Sequence, residues 1–321
     1  MTERPLSDRL DEIIDAIVTH GDATAALRDP ALAPLARIAA DLRHYPSPEF
    51  KARLRTQLQR RATMTTTSTA AAVREGFTTV TPYIRVPEAG LVDFLAQTFD
   101  ARETFSGRGG AGGMHREVRI GDSMVMIGEG GLGGGSVMPI RPQAFHVFVP
   151  DVDATFRRAV AAGATSLGEP ADRPYGERAG FARDRFGNHW YIATPLGPQS
   201  VASALRTVTP MLHVRNGVEY VEFLKRALGA SEELRHEEPP GTLRYARLRI
   251  GDAAIELTEN EPMTGAFMLY VNDPDAAYRQ ALDAGATSLM EPSDQPYGRV
   301  AGVADAVGSQ WFFSRPLTAT P

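Results

Sequence analysis

Apolar residues along this chain alternate between stripes spaced three or four apart and short runs with a period of two, and these switches predict the elements. Residues 1 to 62 carry only the helical period. Ser7 can cap a stripe of Leu10, Ile13, Ile14 and Ile17 that ends at Gly21, and Asp29-Pro30 opens a second stripe of Leu32, Leu35, Ile38 and Leu42. Ser47-Pro48 opens a third, with Phe50, Leu54 and Leu58. Residues 63 to 76 have no apolar period and read as a linker. From residue 77 the pattern becomes strand, helix, strands. Residues 80 to 86 predict a strand, and Val92, Phe94, Leu95 and Phe99 line a helix. Residues 117 to 120 and 124 to 127 flank Gly121-Asp122, a hairpin turn. Residues 145 to 149 begin a second round, Phe156, Ala159 and Val160 mark its helix, and residues 190 to 193 close it.

The whole pattern then returns about 120 to 130 residues later, a period too long for a solenoid and right for a duplicated domain. Val80-Thr81-Pro82-Tyr83-Ile84-Arg85-Val86 is echoed by Val208-Thr209-Pro210-Met211-Leu212-His213-Val214, and Ala162-Gly163-Ala164-Thr165-Ser166-Leu167 by Ala284-Gly285-Ala286-Thr287-Ser288-Leu289. Val221, Phe223, Leu224 and Leu228, the Gly251-Asp252 turn, residues 267 to 271 and Trp311 repeat the rest. The expected architecture is α+β: an N-terminal helical segment (1–62), a linker (63–76), and two domains (77–195 and 206–317). Each domain consists of two βαβββ modules.

Composition narrows the function classes. A net charge of -5 gives no basic surface for nucleic acid, and no apolar run reaches the ~18 residues of a membrane span. The N-terminus lacks the apolar core of a signal peptide, so a cytoplasmic protein is expected. With no cysteine, a metal site would need His, Asp or Glu. Lys51, Arg53, Arg55, Arg60 and Arg61 on the third N-terminal helix form either a solvated face or a contact for an acidic protein partner.

Several motifs resemble the vicinal oxygen chelate superfamily, which includes glyoxalase I, bleomycin-resistance proteins and extradiol dioxygenases. They are Val149-Pro150-Asp151-Val152-Asp153 entering a helix, Ala162-Gly163-Ala164 leaving it, and Asp184-Arg185-Phe186-Gly187-Asn188-His189-Trp190 before the closing strand. The second copy has Val271-Asn272-Asp273-Pro274-Asp275, Ala284-Gly285-Ala286 and Asp305-Ala306-Val307-Gly308-Ser309-Gln310-Trp311. The resemblance covers roughly residues 77 to 316. It implies that paired modules form a cup, and that members using a metal ligate it from the first and fourth strand of each module.

Carried over by these motifs, the metal positions are Thr81, Met126, Ala144 and Tyr191 in the first copy and Thr209, Glu256, Ala266 and Phe312 in the second. A single carboxylate does not make a catalytic metal site, so neither metal nor other cofactor is expected. A two-residue slip would bring in His146 and His189. Side chains two residues apart share a strand face, so Tyr83, Arg85, His146, Phe148, His189 and Tyr191 should share the first copy's cup. There aromatic walls suit a planar small molecule, and Arg85 an anionic group. His146 and His189 either bind that ligand or satisfy hydrogen bonds, and offsets in opposite directions would hold them roughly 13 Å apart. The second cup would hold Met211, His213, Glu256, Met268, Tyr270 and Gln310, with His213-Glu256 as an acid/base or structural pair. The Gly-rich residues 107 to 113 and 128 to 135 lack phosphate-loop motifs and read as connectors or lids.

The expected function is metal-free binding of a small aromatic or amphipathic molecule through Tyr83, Arg85, His146, Phe148, His189, Tyr191, His213 and Glu256. The alternative is a lyase, isomerase or dioxygenase of the same superfamily, either metal-dependent or using histidine acid/base chemistry. A regulatory role through the N-terminal helices is a third possibility.

Overall fold

From residue 77 onward the apolar periods become strands and helices, and four modules follow one another. The first contains β1 (Val80–Val86), α1 (Leu91–Phe99), β2 (Arg102–Arg108), β3 (Met114–Ile120) and β4 (Ser123–Glu129). The second contains β5 (Ala144–Phe148), α2 (Val152–Ala161), β6 (Thr165–Arg173), β7 (Glu177–Arg183) and β8 (His189–Pro195). The third contains β9 (Val208–Val214), α3 (Gly217–Leu228), β10 (Ser231–Glu237), β11 (Leu243–Ile250) and β12 (Ala253–Glu259). The fourth contains β13 (Ala266–Tyr270), α4 (Pro274–Asp283), β14 (Thr287–Gln295), β15 (Gly298–Ala304) and β16 (Gln310–Pro316). The computed structural model describes residues 73–74, 76–109, 112–131, 140–197 and 205–316. The N-terminal helices, most of the linker and the glycine-rich residues 132–135 lie outside them.

The motifs do local work. Asp151 and Asp273 cap α2 and α4 by accepting the N–H of Ala154 at 2.9 Å and of Ala276 at 3.0 Å. Gly163 and Gly285, just past those helices, take φ of 96° and 105°, where a Cβ is strained. The buried carboxylates of Asp184 and Asp305 accept the indole N–H of Trp190 at 3.0 Å and of Trp311 at 2.9 Å. Both tryptophans are fully buried, each stacked on the phenylalanine of the neighbouring central strand, Phe145 or Phe267.

The module pairing differs from the expectation. One sheet runs β14-β15-β16-β13-β1-β4-β3-β2 and joins the first module to the fourth; the other runs β10-β11-β12-β9-β5-β8-β7-β6 and joins the second to the third. The joints are antiparallel pairs, β1 with β13 and β5 with β9. The helical sides keep to the duplication: α1 and α2 share one apolar core, α3 and α4 the other. The two cups are therefore an outer one, from modules one and four, and an inner one, from modules two and three.

Reciprocal latches tie these sheets together. Asp122 in the β3-β4 turn accepts the N–H of Thr207 at 2.8 Å, and Asp252 in the β11-β12 turn accepts the N–H of Thr79 at 2.7 Å and its hydroxyl at 2.8 Å. Gly121 (φ 56°) and Gly251 (φ 60°) bring the turns so close that a Cβ would stand 2.3 Å from the Thr207 hydroxyl oxygen and 2.2 Å from that of Thr79.

Candidate functional site

Side chains of alternate residues share a strand face, so the register decides what meets in each cup. In the inner cup Ala144, His146 and Phe148 of β5 lie opposite His189, Tyr191 and Ala193 of β8, and His146 lies opposite Thr209 of β9. Glu256 of β12 lies opposite Met211 of β9. The inner cup thus collects His146, Phe148, His189, Tyr191, His213 and Glu256 from both copies.

At its centre is a buried ionic chain. His146 Nδ1 is 3.0 Å from Glu256 Oε2, and its Nε2 is 3.4 Å from Glu177 Oε2. Both carboxylates are fully buried, and the Tyr245 hydroxyl donates to Glu256 Oε1 at 2.6 Å. Burial alone would push the His146 pKa down, but Glu256 and Glu177 outweigh it and hold it up at about 9. At neutral pH His146 is therefore an imidazolium, donating to Glu256 and ion-paired with Glu177. Tyr245 in turn has its pKa raised by burial and by Glu256.

The other end of the cup is neutral. Burial, aided by nearby His189, pushes the His213 pKa down to about 4, and the Tyr191 hydroxyl is hydrogen-bonded to its Nε2 at 3.2 Å. His189 is half-buried, its pKa lowered by burial and by Arg183. Around these groups stand Phe148, whose ring centre is 4.2 Å from that of His146, and Phe181, edge-on to Tyr191 at 4.9 Å. Tyr175, half-exposed on its loop, lies near enough to Glu177 and Glu256 for both to raise its pKa, after burial.

Several expectations are corrected by this pairing. Tyr83 and Arg85 are not with these residues: they belong to β1 and hence to the outer cup. The Tyr83 hydroxyl bonds His115 Nδ1 at 3.0 Å, and buried Arg85 donates to the carbonyls of Gly130 at 3.0 Å and Gly131 at 3.4 Å. Glu256 pairs with His146 instead of His213, because β5 and β9 are neighbours. Met268, Tyr270 and Gln310 belong to the outer cup with module four. His189 lies opposite Ala144, not two residues beyond it, so His146 and His189 are one two-residue step apart, roughly 7 Å. Glu177, Phe181 and Tyr245 are new members. They come from β7 and β11, the strands beside β8 and β12, where Phe181 is paired directly with Tyr191 and Arg247 with Glu256.

The residues at the family's metal positions do not make up a divalent-metal ligand set. The family's metal positions fall as Thr81, Met126, Ala266 and Phe312 in the outer cup and Ala144, Tyr191, Thr209 and Glu256 in the inner one. Among those eight positions Glu256 is the sole carboxylate, and it is already bonded by Tyr245 and His146. Among the described residues no group of three or more His, Asp or Glu is arranged to hold a metal ion. No described helix is long and apolar enough to cross a membrane.

Known proteins share this fold. Crystalline glyoxalase I from Zea mays superposes with a TM-score of 0.56 at 17% identity, over 73% of this chain and 92% of that one. A putative dioxygenase from Bacillus subtilis gives 0.50 at 13% identity, over 75% and 86%. At such identities the likeness concerns fold alone. An uncharacterized protein of Mycobacterium bovis is 35% identical over 126 residues, 36% of this chain and 83% of that protein, which is therefore about the size of one copy. The family model described as Glyoxalase/Bleomycin resistance protein/Dioxygenase superfamily matches residues 89–192 and again 208–313, well over half of the sequence. The chain belongs to that superfamily, as a member with two tandem copies.

Proposed function

We propose that the inner cup binds a small aromatic or amphipathic molecule, and does so without a metal ion. The observation that carries the reading is the contrast within one cup. The polar groups at its centre are bonded to one another, whereas the rings of Phe148, Phe181, Tyr191 and Tyr175 remain partly exposed around them. Partly exposed rings above a fixed polar floor favour a ligand with a planar apolar body and a few polar substituents. Tyr191, His189 and Tyr175 can bond those substituents.

A thermal-shift screen of aromatic and amphipathic compounds, run with and without a chelator, tests this. Hits should stabilise the protein equally in both conditions, and Phe148→Ala should weaken them about tenfold, a loss of ~1.4 kcal/mol. Binding that vanishes with the chelator would overturn the metal-free reading. The hydrogen bond between Tyr191 and neutral His213 favours a second reading, histidine acid/base catalysis in the same cup. In that case His213→Gln abolishes turnover of a bound compound while leaving its affinity nearly intact.

A further inference from the structure

The outer cup is lined by buried apolar side chains where the inner one leaves rings partly exposed. Its concave face carries Met124, Met126, Met268, Tyr270 and Phe312, all buried, and Phe77 is buried among them with Val73 packed alongside. Phe77 and Val73 come from the segment ahead of β1, not from the sheet. The segment is folded to deliver two groups together. The N–H of Phe77 donates to the carbonyl of Arg74 at 2.9 Å, and Gly76 takes φ of 82° beside the Arg119 guanidinium, where a Cβ would clash.

This turn lays the Arg74 guanidinium over the Phe77 ring, 4.6 Å from its centre. The guanidinium then meets Glu117 through both nitrogens, one of them at 2.9 Å. The Glu117 side chain is only 5% exposed, while that of Arg74 is 44% exposed. The ring stands edge-on to Tyr270, 6.1 Å between centres. A buried carboxylate beside thioether and aromatic walls is thus satisfied by a planar cation stacked on an aromatic ring. Glu117 also has His115 Nε2 at 3.4 Å.

We propose that the outer cup is a second binding site, for a planar organic cation carried on an aromatic ring, and that Arg74 and Phe77 occupy it as an internal surrogate. The chemistry fits from three sides. A guanidinium or amidinium matches a carboxylate bidentately, as Arg74 does. Methionine side chains adapt to rings of different outline. A tethered surrogate competes at an effective concentration in the millimolar range, so the site is masked until those two side chains leave.

The test uses the full chain with its methionine methyl groups ¹³C-labelled and benzamidine as the probe. Met124, Met126 and Met268 report on the outer cup and Met211 on the inner. In Arg74→Ala/Phe77→Ala, benzamidine should shift the outer-cup methyl signals and bind at least tenfold more tightly than to the unaltered chain. Adding Glu117→Gln should remove that gain, and neutral benzamide should not bind there. Outer-cup signals that stay still in the folded double variant, or move equally without Glu117, would overturn the proposal. A response at Met211 alone would overturn it too while leaving the inner-cup reading standing; outer-cup shifts with a silent Met211 would support it whatever the inner cup does. If the double variant does not fold, Arg74→Ala alone decides: it should tighten benzamidine by a smaller factor, and no tightening counts against the surrogate.

Discussion

His146 and His213 occupy one cup yet titrate in opposite directions, and stability should record both. His146 keeps until about pH 9 a proton that the unfolded chain loses near 6.5. Its contribution, about 3 kcal/mol at most, is present in full below pH 6.5 and is lost as the pH rises through 9. His213 resists protonation until about pH 4, whereas the unfolded chain accepts that proton near 6.5, so stability also falls as the pH drops from 6.5 to 4. Urea midpoints measured from about pH 4 to 10 should peak near 6.5; a steady rise to pH 9 would contradict the ionic chain. Both histidines and Glu256 are legible in the sequence as cup residues, because strand periodicity gives their face. Their partners are not, because a face does not say which strand lies next to it. Glu177 reaches His146 from β7, and no spacing in the sequence signals that.

Elements were legible where a local rule fixes them. The Asp caps of α2 and α4, the glycines after them and the Gly-Asp hairpin turns all stand where their spacing predicts. What spacing hides is that the same turns also hold distant strands. Gly251→Ala should therefore cost more than backbone strain. The left-handed conformation costs about 1–2 kcal/mol for alanine, and displacing Thr79 sacrifices the hydrogen bonds to Asp252, for a total of about 3 kcal/mol. Gly229→Ala, at a φ of 66° close to that of Gly251 and with nothing within 4 Å of the added carbon, should cost strain alone, about 1–2 kcal/mol. Equal losses in chemical denaturation would show that the latch contributes nothing.

At the scale of the molecule, the duplication was plain in the sequence and the pairing of modules was not. All four modules carry similar strand patterns, so β5 pairing with β9 in place of β1 leaves no mark on hydrophobic periodicity. It is long-range order, decided by packing of the whole. Residues 73–197 alone would keep their helical core but expose the edges of β1 and β5, which β13 and β9 cover in the intact chain. That fragment should dimerise, β5 of one copy taking β1 of another where it now takes β9. Light scattering on the purified fragment checks this, and a stable monomer would refute it.

The crossed sheets also bear on how the chain withstands proteolysis. Each sheet takes four strands from either side of residues 198–204, so a cut there severs one covalent link and none of the hydrogen-bonded ladders. The nicked protein should run as two bands on a denaturing gel and as one peak in gel filtration. Like a clasped pair of hands cut free at the wrists, the two halves are held by their grip on each other, and the peptide between them serves to bring them together in the first place.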